Sequence, residues 1–310
     1  MQCGPAIWGE IFGELTMPDQ FPEFREQIAH LFPRHVESVL SIALNEMGAP
    51  LGYRHVEYLD SWSSPGLEAS IARDLRMAYV LLATVVFAID RLWDKQSQSD
   101  DDILYPGFLT LSAAKILSAI ESRSGVRGLV DTFLDSFDHF SLAMKMERSA
   151  RISQSLNHQV DRRHLVNRSR LFIGLFGVIC RLKGRPPLDA EIRILEEFLF
   201  WMQRGDDLGD WREDYQTGHN SYFIRLSIQA IGKRPASEAE MEKYVYLSGA
   251  YEDEATEIIN GLQTIETAVR TGSEGTTANP AFAAFVEKQR RSIAQVLSEF
   301  RSVKEQYLDH

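Results

Sequence analysis

Phe198-Leu-Phe-Trp-Met-Gln-Arg-Gly-Asp206-Asp207-Leu-Gly-Asp210-Trp-Arg-Glu-Asp214 decides how this chain is read. Its first five residues are all apolar, so a helix here belongs inside a protein and not on its surface. It then runs into carboxylates. Asp206, Asp210 and Asp214 recur every four residues, which stacks their side chains along one helical face. Like charges at that spacing cost roughly 0.2–0.5 kcal/mol per pair, and aspartate is a mediocre helix former. Nothing local rewards the arrangement, whereas a hard divalent cation would. Mg²⁺ wants oxygen ligands and takes one or two carboxylates plus substrate phosphates.

Asp90-Arg-Leu-Trp-Asp94 repeats the pattern, two aspartates four apart, at the end of the apolar stretch 78–89. The turns before Asp90 carry Val86, Ala83 and Leu82, and those before Asp206 carry Met202, Leu199 and Phe198. In both places carboxylates prolong an apolar stripe, the pattern expected of a hydrophobic cavity with a metal-binding rim. Asp100-Asp-Asp102 differs: it follows a Ser/Gln-rich stretch and reads as a solvated loop.

The rest of the chain is written as helices. Alternating strand patterns with Asn-Gly or Asp-Gly turns are missing. Apolar residues recur at spacings of three and four over 22–48, 67–96, 108–122, 126–149, 153–183, 188–216, 220–231, 237–270 and 280–307. Breaks are expected at 48–50, 63–66, 105–107, 184–187 and 272–280, where Gly, Pro and Ser gather. None is long enough to separate domains. The expected fold is all-α, one bundle of about ten helices around a central cavity, as a single domain 1–310 with 1–20 as an N-terminal extension.

Composition narrows the function. Of 310 residues, 44% are hydrophobic and 25% charged, an ordinary globular balance. A net charge of −11 argues against general nucleic-acid binding, which needs a basic surface. Cys3 and Cys180 offer neither a disulfide framework nor a zinc spacing. The N-terminus lacks the pattern of a signal peptide, and 78–89 is too short to span a bilayer, so a soluble cytoplasmic protein is expected.

The segment from Trp201 to Phe223 resembles the second metal-binding motif of class I isoprenoid synthases. In trans-prenyltransferases that motif runs Phe-Gln, two residues, Asp-Asp, two residues, Asp; here Met202-Gln203 precede Asp206-Asp207 and Asp210. In class I terpene cyclases the ligands stand at four-residue steps, as Asp206, Asp210 and Asp214 do, with Asp where Glu is usual. Asp90 and Asp94 resemble the first motif, with Arg91 where a second aspartate is commoner. The stretch from His164 to Phe172 is similar to the prenyltransferase Lys-Thr helix that touches diphosphate, Arg168 taking the lysine's part.

The resemblance covers roughly 77–223 and implies an all-α fold, an isoprenoid diphosphate substrate and three Mg²⁺ ions. It implies Asp90, Asp94, Asp206, Asp210 and Asp214 as metal ligands, and a homodimer is compatible with it. Arg168, then Arg163 and Arg212, are the candidate diphosphate binders, since a guanidinium fork suits phosphate oxygens. Phe87, Trp93, Phe172, Phe176, Phe198, Trp201 and Phe223 are candidates to shelter a carbocation. His158, His164 and His219 have no ligand spacing and read as structural. No Gly-Lys-Arg stretch precedes Asp90 to hold a second diphosphate, so an Mg-dependent terpene cyclase is the expected activity. The alternatives are a head-to-head or chain-elongating prenyl diphosphate synthase, and a non-catalytic prenyl-binding protein with the same fold, which Arg91 and the unusual basic motif favour.

Overall fold

The computed structural model describes residues 25–26, 28–29, 49–62, 65–94, 100–150, 156–273 and 275–308. Among them are twelve α-helices and no strand, so the all-α expectation holds. None of the helices is long and apolar enough to cross a membrane.

The helices gather into two compact units. One contains α1 (Ala49–Asp60), α2 (Ala69–Asp94), α3 (Asp100–Ser124), and α4 (Leu129–Ala150) as far as Asp138. It takes in α6 from Leu171 onward; α5 is His158–Arg168 and α6 Arg170–Leu182. Helix α2 packs along α3 and α1, and its side chains from Met77 to Val85 are all buried, as an all-round apolar sequence requires. Trp62 lies on Phe176 with ring centroids 5.3 Å apart. Gly174 is obligatory where α6 meets α4, because a Cβ there would sit 2.3 Å from Ser136 Oγ.

The other unit contains α4 from His139, α5, and α7 (Asp189–Gly209), α8 (Trp211–Thr217), α9 (Tyr222–Ile231), α10 (Glu238–Leu247), α11 (Ala250–Thr271) and α12 (Pro280–Leu308). Helix α7 is its axis, touching α11, α5, α9 and α12. Phe198 meets Phe282 and Phe285 at 5.3 and 5.4 Å between centroids; burying a ring of this kind stabilises by roughly 1.5–3 kcal/mol. Trp201 lies against Gly261 of α11, so closely that a Cβ would sit 2.2 Å from the ring.

Several boundaries correct the sequence reading. The break at 48–50 is followed by α1, not by loop: Pro50 lies in its first turn, where a missing N–H costs nothing. Helix α3 starts at Asp100 and continues through Pro106 and Gly107. The aspartate run expected to be a loop therefore opens a helix, the end at which the macrodipole favours acidic residues. The stretch 153–183 is interrupted at Ser169, 188–216 at Asp210, and 237–270 at Ser248-Gly249, where Gly249 has φ 81°. The helix expected over 22–48 lies outside the described residues, apart from 25–26 and 28–29.

Candidate functional site

The site grows from the end of α7. The apolar face of that helix buries Leu195, Phe198 and Leu199, and two turns later the same chain delivers Asp206 and Asp207. Asp210 has φ −94° and ψ 9° and separates α7 from α8. Even so, Asp210 N donates to Asp206 O at 3.0 Å and Asp214 N to Asp210 O at 2.9 Å. The four-residue step thus survives the break, and the three aspartates form a ladder.

Neither the Asp206 nor the Asp210 side chain has a hydrogen-bond or ion-pair partner among the described residues. Burial, opposed by Arg168 and aided by Asp214, raises the Asp206 carboxyl above its ordinary range. Burial and the charges of Asp206 and Asp214 push Asp210 up to about 8. These carboxylates are short of positive charge. A hard divalent cation fits such an oxygen-only set, although among the described residues no three His, Cys, Asp or Glu side chains already form a complete cage.

Asp207 faces the other way. Its Oδ2 accepts from Tyr222 N at 2.8 Å, satisfying the first N–H of α9, and its Oδ1 accepts from Arg168 Nη1 at 3.2 Å. Burial, only partly offset by Arg168, pushes Asp207 up to about 7. Beyond it lies a small polar cavity, with room for about one water molecule, lined by Glu147, His164, Arg168, Asp207, His219 and Ser221 among others.

His219 closes one side. Its Nε2 is 2.5 Å from Glu147 Oε1 and its Nδ1 3.2 Å from Asp214 Oδ1. Burial disfavours its protonation, but the two carboxylates outweigh that and hold its pKa up at about 10. Glu147 is buried too, which by itself would raise it, yet Arg168 and His219 keep it well below the usual carboxylate range. Burial pushes His164 down to about 4, with Glu147 opposing and Arg168 adding to the effect.

The sequence-derived candidates divide accordingly. Asp206, Asp210, Asp214 and Arg168 come together. Arg163 is exposed. Arg212 is engaged by Glu242 at 2.5 Å and Glu238 at 3.5 Å, over the Trp211 ring. The remaining arginines of the basic stretch are likewise taken up, Arg162 by Glu197 and Arg170 by Glu196. The Asp90, Asp94 and Trp93 side chains lie outside the described residues. Of the candidate aromatics, Phe172, Phe176, Phe198 and Phe223 are buried, Trp201 is half-buried and Phe87 is exposed. The ring contacts of these residues lie in the core, as between Phe223 and Tyr251.

Sequence reasoning missed Glu147 and left His219 aside. Glu147 sits in Met144-Lys-Met-Glu147 with no motif around it, and only its contact across helices marks it. Asp207 stands in the Asp-Asp pair of the motif, but sequence reasoning gave it no role of its own.

The chain has the class I isoprenoid synthase fold. It superposes on a polyprenyl synthase from Caulobacter crescentus CB15, solved with calcium and isoprenyl diphosphate, with a TM-score of 0.65 and 13% identity over 92% of this chain and 95% of that one. It matches a geranylgeranyl pyrophosphate synthase from Lactobacillus brevis ATCC 367 with a TM-score of 0.63 and 11% identity, over 93% and 95% of the two chains. No protein-family model and no curated protein sequence matches.

Proposed function

We propose that this chain is a divalent-metal-dependent prenyl diphosphate synthase, acting on an allylic isoprenoid diphosphate. The observation that carries the reading is the ladder Asp206–Asp210–Asp214, whose first two carboxylates have no ion-pair partner among the described residues and which is flanked by the Arg168–Asp207 pair. It sits within Gln203-x-x-Asp206-Asp207-x-x-Asp210, in a chain with the fold of two such synthases. Asp90 and Asp94 keep the metal-binding role that their resemblance to the first motif gives them.

Mg²⁺, when bound, supplies Lewis-acid stabilisation of the charge that builds on the leaving diphosphate. Asp206 and Asp210 would hold it, with Asp214 as the third carboxylate. Arg168, held by Asp207, would set its guanidinium charge against phosphate oxygens.

One observation favours a terpene cyclase instead. A condensing enzyme must hold a second diphosphate, yet Arg54, Arg73 and Arg76, ahead of Asp90, pair with Glu57 or Asp74. Incubating the protein with geranyl, farnesyl or geranylgeranyl diphosphate and Mg²⁺, with and without isopentenyl diphosphate, separates the readings. A product five carbons longer, formed only with isopentenyl diphosphate, supports elongation, and a doubled chain supports head-to-head joining. A hydrocarbon or alcohol from one substrate alone would make the enzyme a cyclase. Absence of diphosphate release under every condition would leave a non-catalytic binder and overturn the proposal.

A further inference from the structure

Asp214 stands in an unusual position for a ligand. Asp206 belongs to a 21-residue helix, but Asp214 lies beyond the break at Asp210, on a helix of only seven residues. So short a helix has little stability of its own, since nucleation costs more than a few turns return. Something outside α8 must fix the direction of the third carboxylate. His219 is the side chain that touches it, and the far side of that imidazole is held by Glu147, which is only 4% exposed.

We infer that Glu147 and His219 are positioning residues for the aspartate ladder: the His219 imidazole bridges Glu147 to Asp214 and sets the third carboxylate for the cation held by the first two. The inference rests on the metal-binding reading of the ladder.

A second observation supports it. Three buried polar atoms around the same cavity have no hydrogen-bond partner among the described residues: Glu147 Oε2, His164 Nδ1 and Ser221 Oγ. Ser221 precedes α9 but makes no side-chain cap. A buried, unsatisfied polar group costs about 1–3 kcal/mol, and the cavity between these groups has room for about one water molecule. A water donating to Glu147 Oε2 and bonded to His164 and Ser221 satisfies these atoms. It would also hold Glu147 through Oε2, the oxygen that His219 does not take. The anchor of Asp214 is then fixed at both ends, by His219 in front and by the hydrated cavity behind.

A His–Glu pair that merely stabilised the fold would contribute to melting temperature alone. A positioning pair also sets metal affinity; groups that orient metal ligands from outside the coordination sphere are worth roughly 10–100-fold in affinity or activity. The test is the rise in melting temperature of the full chain on titration with Mg²⁺ in the presence of inorganic diphosphate, which needs no turnover. His219→Gln keeps one hydrogen bond but cannot bridge as a cation. It is expected to raise the Mg²⁺ concentration at half-maximal shift by roughly 10-fold or more. Glu147→Gln keeps the acceptor and removes the charge, and is expected to give a smaller shift in the same direction. It decides the matter if His219→Gln does not fold. If the wild type responds to Mg²⁺ and both variants respond at the same concentrations, the pair is structural only and the inference falls. If the wild type itself shows no metal-dependent shift, the metal-binding reading fails and takes the inference with it.

Discussion

Asp210→Asn, measured first without metal, tests the physics of the ladder. The substitution removes a charge and almost nothing else, and asparagine suits the break between α7 and α8 as well as aspartate does. Asp210 faces Asp206 on one side and Asp214 on the other. Two like-charged neighbours at this spacing cost about 0.4–1 kcal/mol together. At about 2–4 °C per kcal/mol, the repulsion alone accounts for a gain of about 1–4 °C in melting temperature, and relief of the burial of the charged carboxylate, the larger cause of its raised pKa, adds to it. The sign depends on pH. The folded Asp210 carboxyl titrates at about 8, above its unfolded value of 3.8. The folded protein therefore binds more protons in that window, and stability is lost as pH rises through it. Wild type in EDTA should lose stability between about pH 4 and 8 more steeply than Asp210→Asn, so the gain should grow steadily across that window and be full by pH 9.

Adding Mg²⁺ and inorganic diphosphate should reverse the order. A ligand at a hundred times its dissociation constant stabilises the protein by about 2.7 kcal/mol, and the variant should lose most of that. Differential scanning calorimetry or dye-monitored melting reads both arms. If the metal-free variant melts below the wild type at pH 9, the repulsion argument is wrong. An equal Mg²⁺ shift in both proteins would remove Asp210 from the metal site.

Three other outcomes follow from the packing. Arg168→Ala strips Asp207, whose side chain is 5% exposed, of its cation; an unfolding loss of about 3–5 kcal/mol is expected, and an unchanged urea midpoint would contradict it. Gly261→Ala puts a Cβ 2.2 Å from the Trp201 ring, so an overpacking cost of about 1–3 kcal/mol should outweigh the roughly 1 kcal/mol helix-propensity gain; a higher melting temperature would refute this. Burial pushes the pKa of His55 down to about 3, and its Nδ1 lies 3.1 Å from Tyr79 Oη. A base depressed on folding costs stability as pH falls below its unfolded value of 6.5, by up to about 1.4 kcal/mol per unit. His55→Gln should flatten the urea midpoint between pH 7 and pH 5, and an equally steep acid loss in that variant would show that His55 is not its source.

Much of the architecture was legible because it depends on periodicity within single elements. The all-apolar stretch at 78–89 could only be a buried helix, and the chain from Phe198 to Leu208 follows the same rule until the aspartates begin. Boundaries were less legible where backbone and side-chain preferences conflict. Pro106 looked like a stop, yet the helix runs through it and forgoes one backbone hydrogen bond there. The break at Ser169 carries no Gly or Pro. It is marked instead by the Ser169 N–H folding back onto Val166 O and Asn167 O, with Gln203 of α7 bonded to its hydroxyl. That tertiary contact has no counterpart in local sequence.

The same distinction divides the candidate site. A four-residue repeat of aspartate is visible in sequence because one helix face makes neighbours of i and i+4. What fixes the end of that repeat is not visible, because it comes from elsewhere in the chain. Helix α8 ends at Gly218, with φ 77°, after seven residues. It is held by Arg212 on Glu242, by the Tyr215 hydroxyl donating to Pro235 O at 2.9 Å, and by His219 on Glu147. Two of these contacts reach forward in sequence toward α10 and one reaches back to α4. The forward pair fixes the outer face of α8, and His219, just past its end, reaches the Asp214 carboxylate. A change in the first two should therefore loosen the helix and lower the melting temperature, while a change in the third should also weaken the metal response. The difference between those two signatures distinguishes support of the fold from support of the site.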